Sequence, residues 1–177
     1  ATRRANSVFA SASAEESAIH EVRELAEQFY AARGAPCRFQ VAEGAAPALL
    51  DAYLANCGYE REAPTTVLTS DLPASMPDSR YARRFTVELQ SDISPEWVEL
   101  YAEANALDPS AAGMRRDIMQ RVAVPAAYAL TRHNDEGVAL GWVAIERGWA
   151  GVFGMTTRPH HRRRGAARAT FRALAEH

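Results

Sequence analysis

The residues best suited to bind a charged ligand form one short run near the end of the sequence, Arg162 to Ala167 (RRRGAA). The run follows residues 152–157, which predict a strand, and it precedes a segment with Phe171 and Leu174 at helical spacing. The first backbone amides of a helix have no partners within the helix, and the helix dipole is positive there. Gly165 lets a ligand approach the backbone, and arginines donate forked hydrogen bonds to phosphate oxygens. The run therefore predicts an anion site, at which backbone amides can converge on a diphosphate.

Several elements upstream of this run must position it. Residues 84–89 alternate between apolar and polar and predict a strand, and three further strands are predicted over residues 126–132, 138–146 and 151–157. Ser94-Pro95 and Asp108-Pro109 each combine an N-cap with a first-turn proline, and they predict helices over residues 96–105 and 111–122. A polar turn at residues 133–137 predicts a hairpin between the second and third strands. The predicted fold class is α/β, with a mixed and mostly antiparallel sheet flanked by helices.

The N-terminal part predicts helix, strand, helix and strand, over residues 15–33, 38–42, 47–56 and 65–69. The apolar face of the first helix comprises Ile19, Val22, Leu25, Ala26 and Phe29. Gly34 and Gly58 follow the two helices and predict their C-terminal caps. Residues 72–79 contain two prolines and predict a linker. We therefore expect an α/β accessory region over residues 1–78 and the main domain over residues 79–177.

Composition and charge exclude several classes of protein. All 20 basic residues are arginine, a bias typical of GC-rich bacterial genomes. The pI near 6.2 argues against a general nucleic-acid binder. No apolar run approaches the roughly 18 residues of a membrane-spanning helix, and the N-terminus lacks the pattern of a secretory signal. We therefore expect a bacterial, cytoplasmic protein without a membrane segment, and the spacing of Cys and His predicts no metal site.

A family resemblance is carried by Arg162-x-x-Gly165-x-Ala167 directly after a strand. It resembles the pyrophosphate loop of the GNAT acetyltransferases, which reads Gln or Arg, two residues, Gly, one residue, then Gly or Ala. The order of elements from about residue 84 is also similar to that family. The resemblance implies an N-acetyltransferase that uses acetyl-CoA, with the backbone of Met155, Thr156 and Thr157 binding the pantetheine arm. It also implies that the pyrophosphate is held by Arg162, Arg163, Arg164, Gly165, Ala166 and Ala167.

The sequence departs from the family pattern where it stops. A complete GNAT core continues with a fifth strand and a fourth helix, and the sequence ends at His177, so we expect an incomplete C-terminal part of the core. The N-terminal elements resemble in order the C-terminal half of such a core. Two arrangements follow: a degenerate first GNAT-like unit in tandem, or an N-terminal half that completes one sheet. Of the two, we favour the tandem arrangement. A run of helix, strand, helix and strand is common, however, and it occurs about as often in proteins with neither arrangement.

The catalytic base is the second departure. Many GNAT enzymes place a glutamate near the start of the fourth strand, where this sequence has Trp149-Ala150-Gly151. An ammonium must lose a proton before it attacks a thioester, and a carboxylate or an ordered water usually assists. Glu146 is the nearest acidic residue and is the predicted base, although a glutamate at a strand end is more often solvated surface.

Three functions stay open at this point. The first is acetyl transfer to an amine, carried by a small molecule or by the N-terminus or a side chain of a protein. The second is a non-catalytic module that binds acetyl-CoA. The third, less favoured, is a nucleic-acid binder that uses His160 to Arg164 as a basic patch, within the arginine cluster that extends from Arg158 to Arg168. The acceptor is not predicted, and a homodimer is left open.

Overall fold

The computed structural model describes residues 6–10, 18–44, 46, 48–72 and 84–177. The chain divides into two units, Ala1–Leu68 and Thr69–His177. The predicted boundary between residues 78 and 79, with most of the predicted linker, lies outside the described residues and stays a prediction. Within the described ranges, no helix is long and apolar enough to cross a membrane.

The first unit contains two short helices and one pair of very short strands. In chain order these are β1 (Val8–Phe9), α1 (Ile19–Ala31), β2 (Phe39–Gln40) and α2 (Leu50–Asn56), and β1 pairs with β2 in parallel. In the core of this unit, Ile19 packs with Leu50 and Leu54. The predicted apolar face of α1 is wrong in part, because Val22, Leu25 and Phe29 are exposed and Tyr30 is buried instead. Within the described residues, the buried stripe of α1 comprises Ile19, Ala26 and Tyr30.

The strand predicted over residues 65–69 does not form. Residues 59–72 have no regular secondary structure, and Val67 and Leu68 are 81% and 88% exposed. β-Branched residues favour strands, but a strand also needs a neighbour for its backbone groups, and none pairs with it among the described residues. The helix, strand, helix, strand order therefore lacks its last member here, and the tandem arrangement stays a prediction.

The second unit is built on a four-stranded antiparallel sheet, which confirms the predicted α/β class. The strands are β3 (Thr86–Gln90), β4 (Ala126–His133), β5 (Glu136–Glu146) and β6 (Trp149–Thr157), in that spatial order. The β4–β5 turn is shorter than predicted, because His133 already pairs with Glu136. Asn134 and Asp135 have φ of 49° and 65°, as a tight hairpin with right-handed twist requires.

Three helices accompany the sheet: α3 (Pro95–Ala104), α4 (Pro109–Met119) and α5 (Ala166–Ala175). Both predicted N-caps are confirmed, since Ser94 accepts from the Trp97 amide at 3.3 Å and Asp108 from the Ala111 amide at 2.9 Å. These caps fix where α3 and α4 begin. The last helix was predicted to open near Arg163, but α5 begins at Ala166, after a short 3₁₀ turn, Pro159–His161, and a further loop.

The two faces of the sheet differ in side-chain size. Large residues meet α3, where Trp97 and Leu100 pack with Tyr128, Leu130 and Leu140. Small residues meet α5, where Leu174 packs with Ala127, Ala129 and Val143. The small side chains let α5 approach the sheet closely.

A buried hydrogen bond joins α5 to β4. The hydroxyls of Thr131 and Thr170 lie 2.7 Å apart, and both residues are fully buried. Thr170 Oγ1 donates to the Ala166 carbonyl at 3.0 Å, so the Thr131 hydroxyl donates to Thr170. This chain of bonds reaches from the sheet to the first residue of α5.

Candidate functional site

A cavity of about 620 Å³ lies where β6 ends and α5 begins. Its walls come from three places in the second unit: the end of β6 with the following loop, the first turn of α5, and the end of α3. The predicted residues that line it are Met155, Thr156, Thr157, Arg162, Arg163, Gly165, Ala166 and Ala167. The structure therefore brings together every predicted binding residue except Arg164, which is exposed and does not line the cavity.

The first turn of α5 forms one wall of this cavity. Gly165 is its N-cap residue with φ of 98°, a left-handed conformation that glycine adopts without strain. No side chain among the described residues caps this turn. Its first amides are therefore available to a ligand, and the helix dipole favours an anion at that place.

Arginine side chains surround the same turn. Arg162, Arg163 and Arg168 line the cavity and are exposed. Arg162 Nε donates to the Thr157 carbonyl at 3.2 Å, which fastens the loop to the end of β6. Guanidinium groups in this position complement a phosphate in charge and in hydrogen-bond geometry.

A β-bulge interrupts β6 next to the cavity. Leu140 pairs with Thr156 and Trp142 with Phe153, so Gly154 and Met155 both fall opposite Gly141 on β5. Gly154 has φ of 61°, and a Cβ there would come within 3.2 Å of the Trp142 ring. The position therefore demands glycine. A bulge leaves backbone groups out of the ladder and redirects the strand.

The outer edge of β6 is also available. β6 is the last strand in the sheet order, and its outer edge pairs with no strand among the residues that the structure describes. An edge strand presents a row of backbone donors and acceptors. An extended ligand with amide groups can add to such an edge as a strand would.

Four lining residues, namely Ala104, Asn105, His161 and Arg168, were not predicted. Ala104 and Asn105 end α3 and reach the cavity only through tertiary packing, which no local pattern reveals. Burial lowers the pKa of His161, with nearby Arg164 adding to that effect and Glu136 opposing it. His161 Nδ1 is buried and has no hydrogen-bond partner among the described residues. Arg168 belongs to the arginine cluster, and this membership could have predicted that it lines the cavity.

Glu146, the predicted base, is not brought to the cavity. It ends β5, pairs with Trp149 and lies 3.8 Å from Arg147, with its side chain 63% exposed. Trp149 and Met155 are separated by roughly 20 Å of strand, at the usual rise of about 3.3 Å per residue. The role of Glu146 as base stays a prediction.

Comparison with known proteins gives two similarities that extend over nearly the whole chain. The chain is 27% identical over 175 residues to a protein named uncharacterized N-acetyltransferase YobR from Bacillus subtilis (strain 168), covering 99% of this chain and 69% of that protein. It also resembles the solved structure of a GCN5-related N-acetyltransferase from Kribbella flavida, with a TM-score of 0.57 and 19% identity. That match covers 97% of this chain and 63% of the solved chain, so our sequence spans less than two thirds of it. No protein-family model matches the chain.

These similarities agree with the architecture around the cavity. The antiparallel sheet with helices on both faces is the fold of the Kribbella flavida protein. The similarity to a protein named as an N-acetyltransferase is independent of that structural match. The chain therefore has the fold of a GCN5-related N-acetyltransferase, and its sequence is similar to that of a protein named as an N-acetyltransferase.

Proposed function

We propose that the chain binds acetyl-CoA in the cavity between β6, α3 and α5 and transfers the acetyl group to an amine. The observation that carries the proposal is the junction of β6 and α5. There an uncapped helix start, a glycine with φ of 98° and cavity-lining arginines meet at one place. Such a junction suits a diphosphate, and acetyl-CoA carries one together with a long amide-bearing arm.

The remainder of acetyl-CoA has a matching surface along β6. With the diphosphate at Arg162 to Ala167, the pantetheine arm would follow Met155, Thr156 and Thr157. Its amides would bond to the exposed edge of the strand, as an added strand does. The thioester would then lie near the bulge at Gly154, where backbone groups leave the ladder.

The reaction proposed for this arrangement is direct attack. A neutral amine nitrogen bonds to the thioester carbonyl carbon, the carbon–sulfur bond breaks, and the thiolate of CoA leaves. The nitrogen gives up one proton as the amide forms, and the thiolate takes up one proton, directly or through water, so the step balances. A backbone N–H near the bulge would donate to the carbonyl oxygen as negative charge develops on it. Such a site accelerates the reaction mainly by holding the two reactants in contact, so it needs no protein nucleophile.

The acceptor is proposed only as a class, an amine on a small molecule or on a protein N-terminus or side chain. No described side chain specifies which amine is used. Release of free CoA in the presence of a panel of amines would identify the acceptor. Binding of acetyl-CoA without any release of CoA would instead favour a module that binds the cofactor without catalysis.

Isothermal titration of the chain with acetyl-CoA tests the proposal. We expect a dissociation constant in the micromolar range, which is about 8 kcal/mol of binding free energy at 1 μM. The Gly165→Glu variant should lose this binding, because it adds bulk and negative charge at the helix start. A folded chain that does not bind acetyl-CoA would contradict the proposal.

A further inference from the structure

Arg158 makes several contacts in the second unit without lining the cavity. It follows β6 directly, and its side chain is 31% exposed. Its Nε donates to the Gly137 carbonyl at 2.8 Å, and its Nη1 donates to Glu103 Oε1 at 2.8 Å. Glu136 lies 3.7 Å from the same Nε. A backbone bond from the Arg158 amide to the Val138 carbonyl, at 2.9 Å, fixes the base of this side chain.

Glu103 occupies the last turn of α3, immediately before two residues of the cavity wall. Ala104 and Asn105 line the cavity on that side. The ion pair with Arg158 therefore connects the α3 wall to the strand that leads into the arginine loop. Both sides of the proposed coenzyme site are tied to each other by this contact.

The charge of Glu103 also bears on an anionic ligand. Its carboxylate is 55% exposed, and Ala104 and Asn105, which directly follow it in the chain, line the cavity proposed to hold a diphosphate. The C-terminal end of α3 carries the negative end of the helix dipole and adds to the same field. Like charges within about 10 Å repel each other at ordinary ionic strength. Arg158 pairs with this carboxylate at 2.8 Å and offsets its charge.

We propose that the Arg158–Glu103 ion pair is a positioning element of the coenzyme site: Arg158 holds the Glu103 carboxylate at the end of α3 and screens its charge from the bound diphosphate. This inference rests on the proposed binding of acetyl-CoA. It gives Arg158 a role distinct from that of Arg162 and Arg163, because Arg158 acts through α3 and does not touch the ligand.

A double-mutant comparison tests the proposal, with acetyl-CoA affinity measured by calorimetry for four proteins. They are the wild type, Arg158→Ala, Glu103→Ala and the variant with both changes. We expect Arg158→Ala to weaken binding about tenfold, because it leaves Glu103 unpaired beside the diphosphate. Glu103→Ala should change affinity less than about threefold. The double variant should bind more tightly than Arg158→Ala, since the repelling carboxylate is gone.

A role in stability alone gives a different pattern. Both single variants would then lower the melting temperature, and the double variant would bind no better than Arg158→Ala. That result, or an unchanged affinity in Arg158→Ala, would overturn the proposal. Kinetics give a second readout, because Arg158→Ala should raise the KM for acetyl-CoA and leave kcat within about twofold. Arg158→Lys, which keeps the charge, should recover most of the affinity.

The wild-type titration separates the two proposals. If the wild type binds acetyl-CoA and the double variant recovers no affinity, the inference about the ion pair fails while the proposed function stands. If the folded wild type does not bind acetyl-CoA, the proposed function fails and the inference falls with it.

Discussion

The turns that precede and follow β6 contain similar residues but lead into different elements. Before the strand, Arg147 and Gly148 have φ of 51° and 79°; after it, Arg163 and Gly165 have φ of 61° and 98°. The first turn joins two antiparallel strands, and Glu146 and Trp149 already pair across it. The second opens a helix whose first amides no side chain of the described residues caps. Arginine and glycine at positive φ therefore do not by themselves make an anion site.

The difference lies in the element that follows each glycine. After Gly148 the backbone groups enter the ladder between β5 and β6 and are paired at once. After Gly165 they enter the first turn of α5, where donors converge without partners. The matched residues of the two turns provide controls for each other in the experiments below.

The largest effect is expected from a negative charge placed at Gly165, with the same change at Gly148 as its control. Gly165→Glu should weaken acetyl-CoA binding at least about 100-fold, which is about 2.7 kcal/mol, because the carboxylate would occupy the place of a phosphate. Gly148→Glu introduces the same side chain at a similar φ and should leave the affinity within about twofold. The affinity for acetyl-CoA is measured by calorimetry on both folded variants. Equal losses of affinity would mean that the turn at Gly165 contributes no more to binding than the turn at Gly148.

A smaller loss is expected from the arginines. The variant with Arg162→Ala and Arg163→Ala should bind acetyl-CoA about tenfold more weakly, since exposed charged contacts contribute on the order of 0.5–1 kcal/mol each. The salt dependence of binding should also decrease, because fewer charges meet the phosphates. Arg147→Ala is the matched control at the first turn. An Arg147→Ala variant that binds as weakly as the double variant would contradict this comparison.

Glu146 at the first turn can be tested as the predicted base. We expect Glu146→Gln to change kcat/KM for acetyl transfer less than about twofold, because roughly 20 Å of strand separates it from the cavity end of β6. The measurement is a pH profile of kcat/KM for the wild type and the variant. A loss of about tenfold or more, with the acidic limb of the profile displaced, would support Glu146 as the base.

The smallest effect is expected at His161, which ends the 3₁₀ turn that precedes Arg163 and Gly165. Burial lowers its pKa, so the folded protein binds a proton at His161 less readily than the unfolded chain does. As the pH falls below the unfolded pKa of about 6.5, the unfolded chain takes up the proton first and stability is lost. His161→Gln should therefore lower the difference in melting temperature between about pH 7.5 and 5.5 by about 1–2 °C. The exposed neighbour His160 supplies the control, and a His160→Gln variant with the same effect would contradict the prediction.

Sequence patterns predicted the parts of this molecule that are decided locally. Ser94 and Asp108 mark helix starts because the cap and its amide lie three residues apart. Alternation predicted β3, and two apolar segments around a polar turn predicted the β4–β5 hairpin. The family resemblance of Arg162 to Ala167 selected residues that do line one cavity, apart from Arg164.

Features that depend on a distant partner were missed. Residues 65–69 have the composition of a strand but no neighbour to pair with among the described residues. Ala104 and Asn105 have no chemical signature, and only the packing of α3 brings them to the cavity. Arg158 looked like one more member of the arginine cluster, whereas its contacts are with Glu103 and Gly137.

The buried bond between Thr131 and Thr170 has a consequence for the entropy of binding. Through the Ala166 carbonyl it connects the interior of the sheet to the first residue of α5, a residue that lines the cavity. The amides that would receive a diphosphate therefore begin from a backbone that is already ordered. A ligand that binds there does not have to immobilise the helix start, and more of its contact energy is retained as affinity.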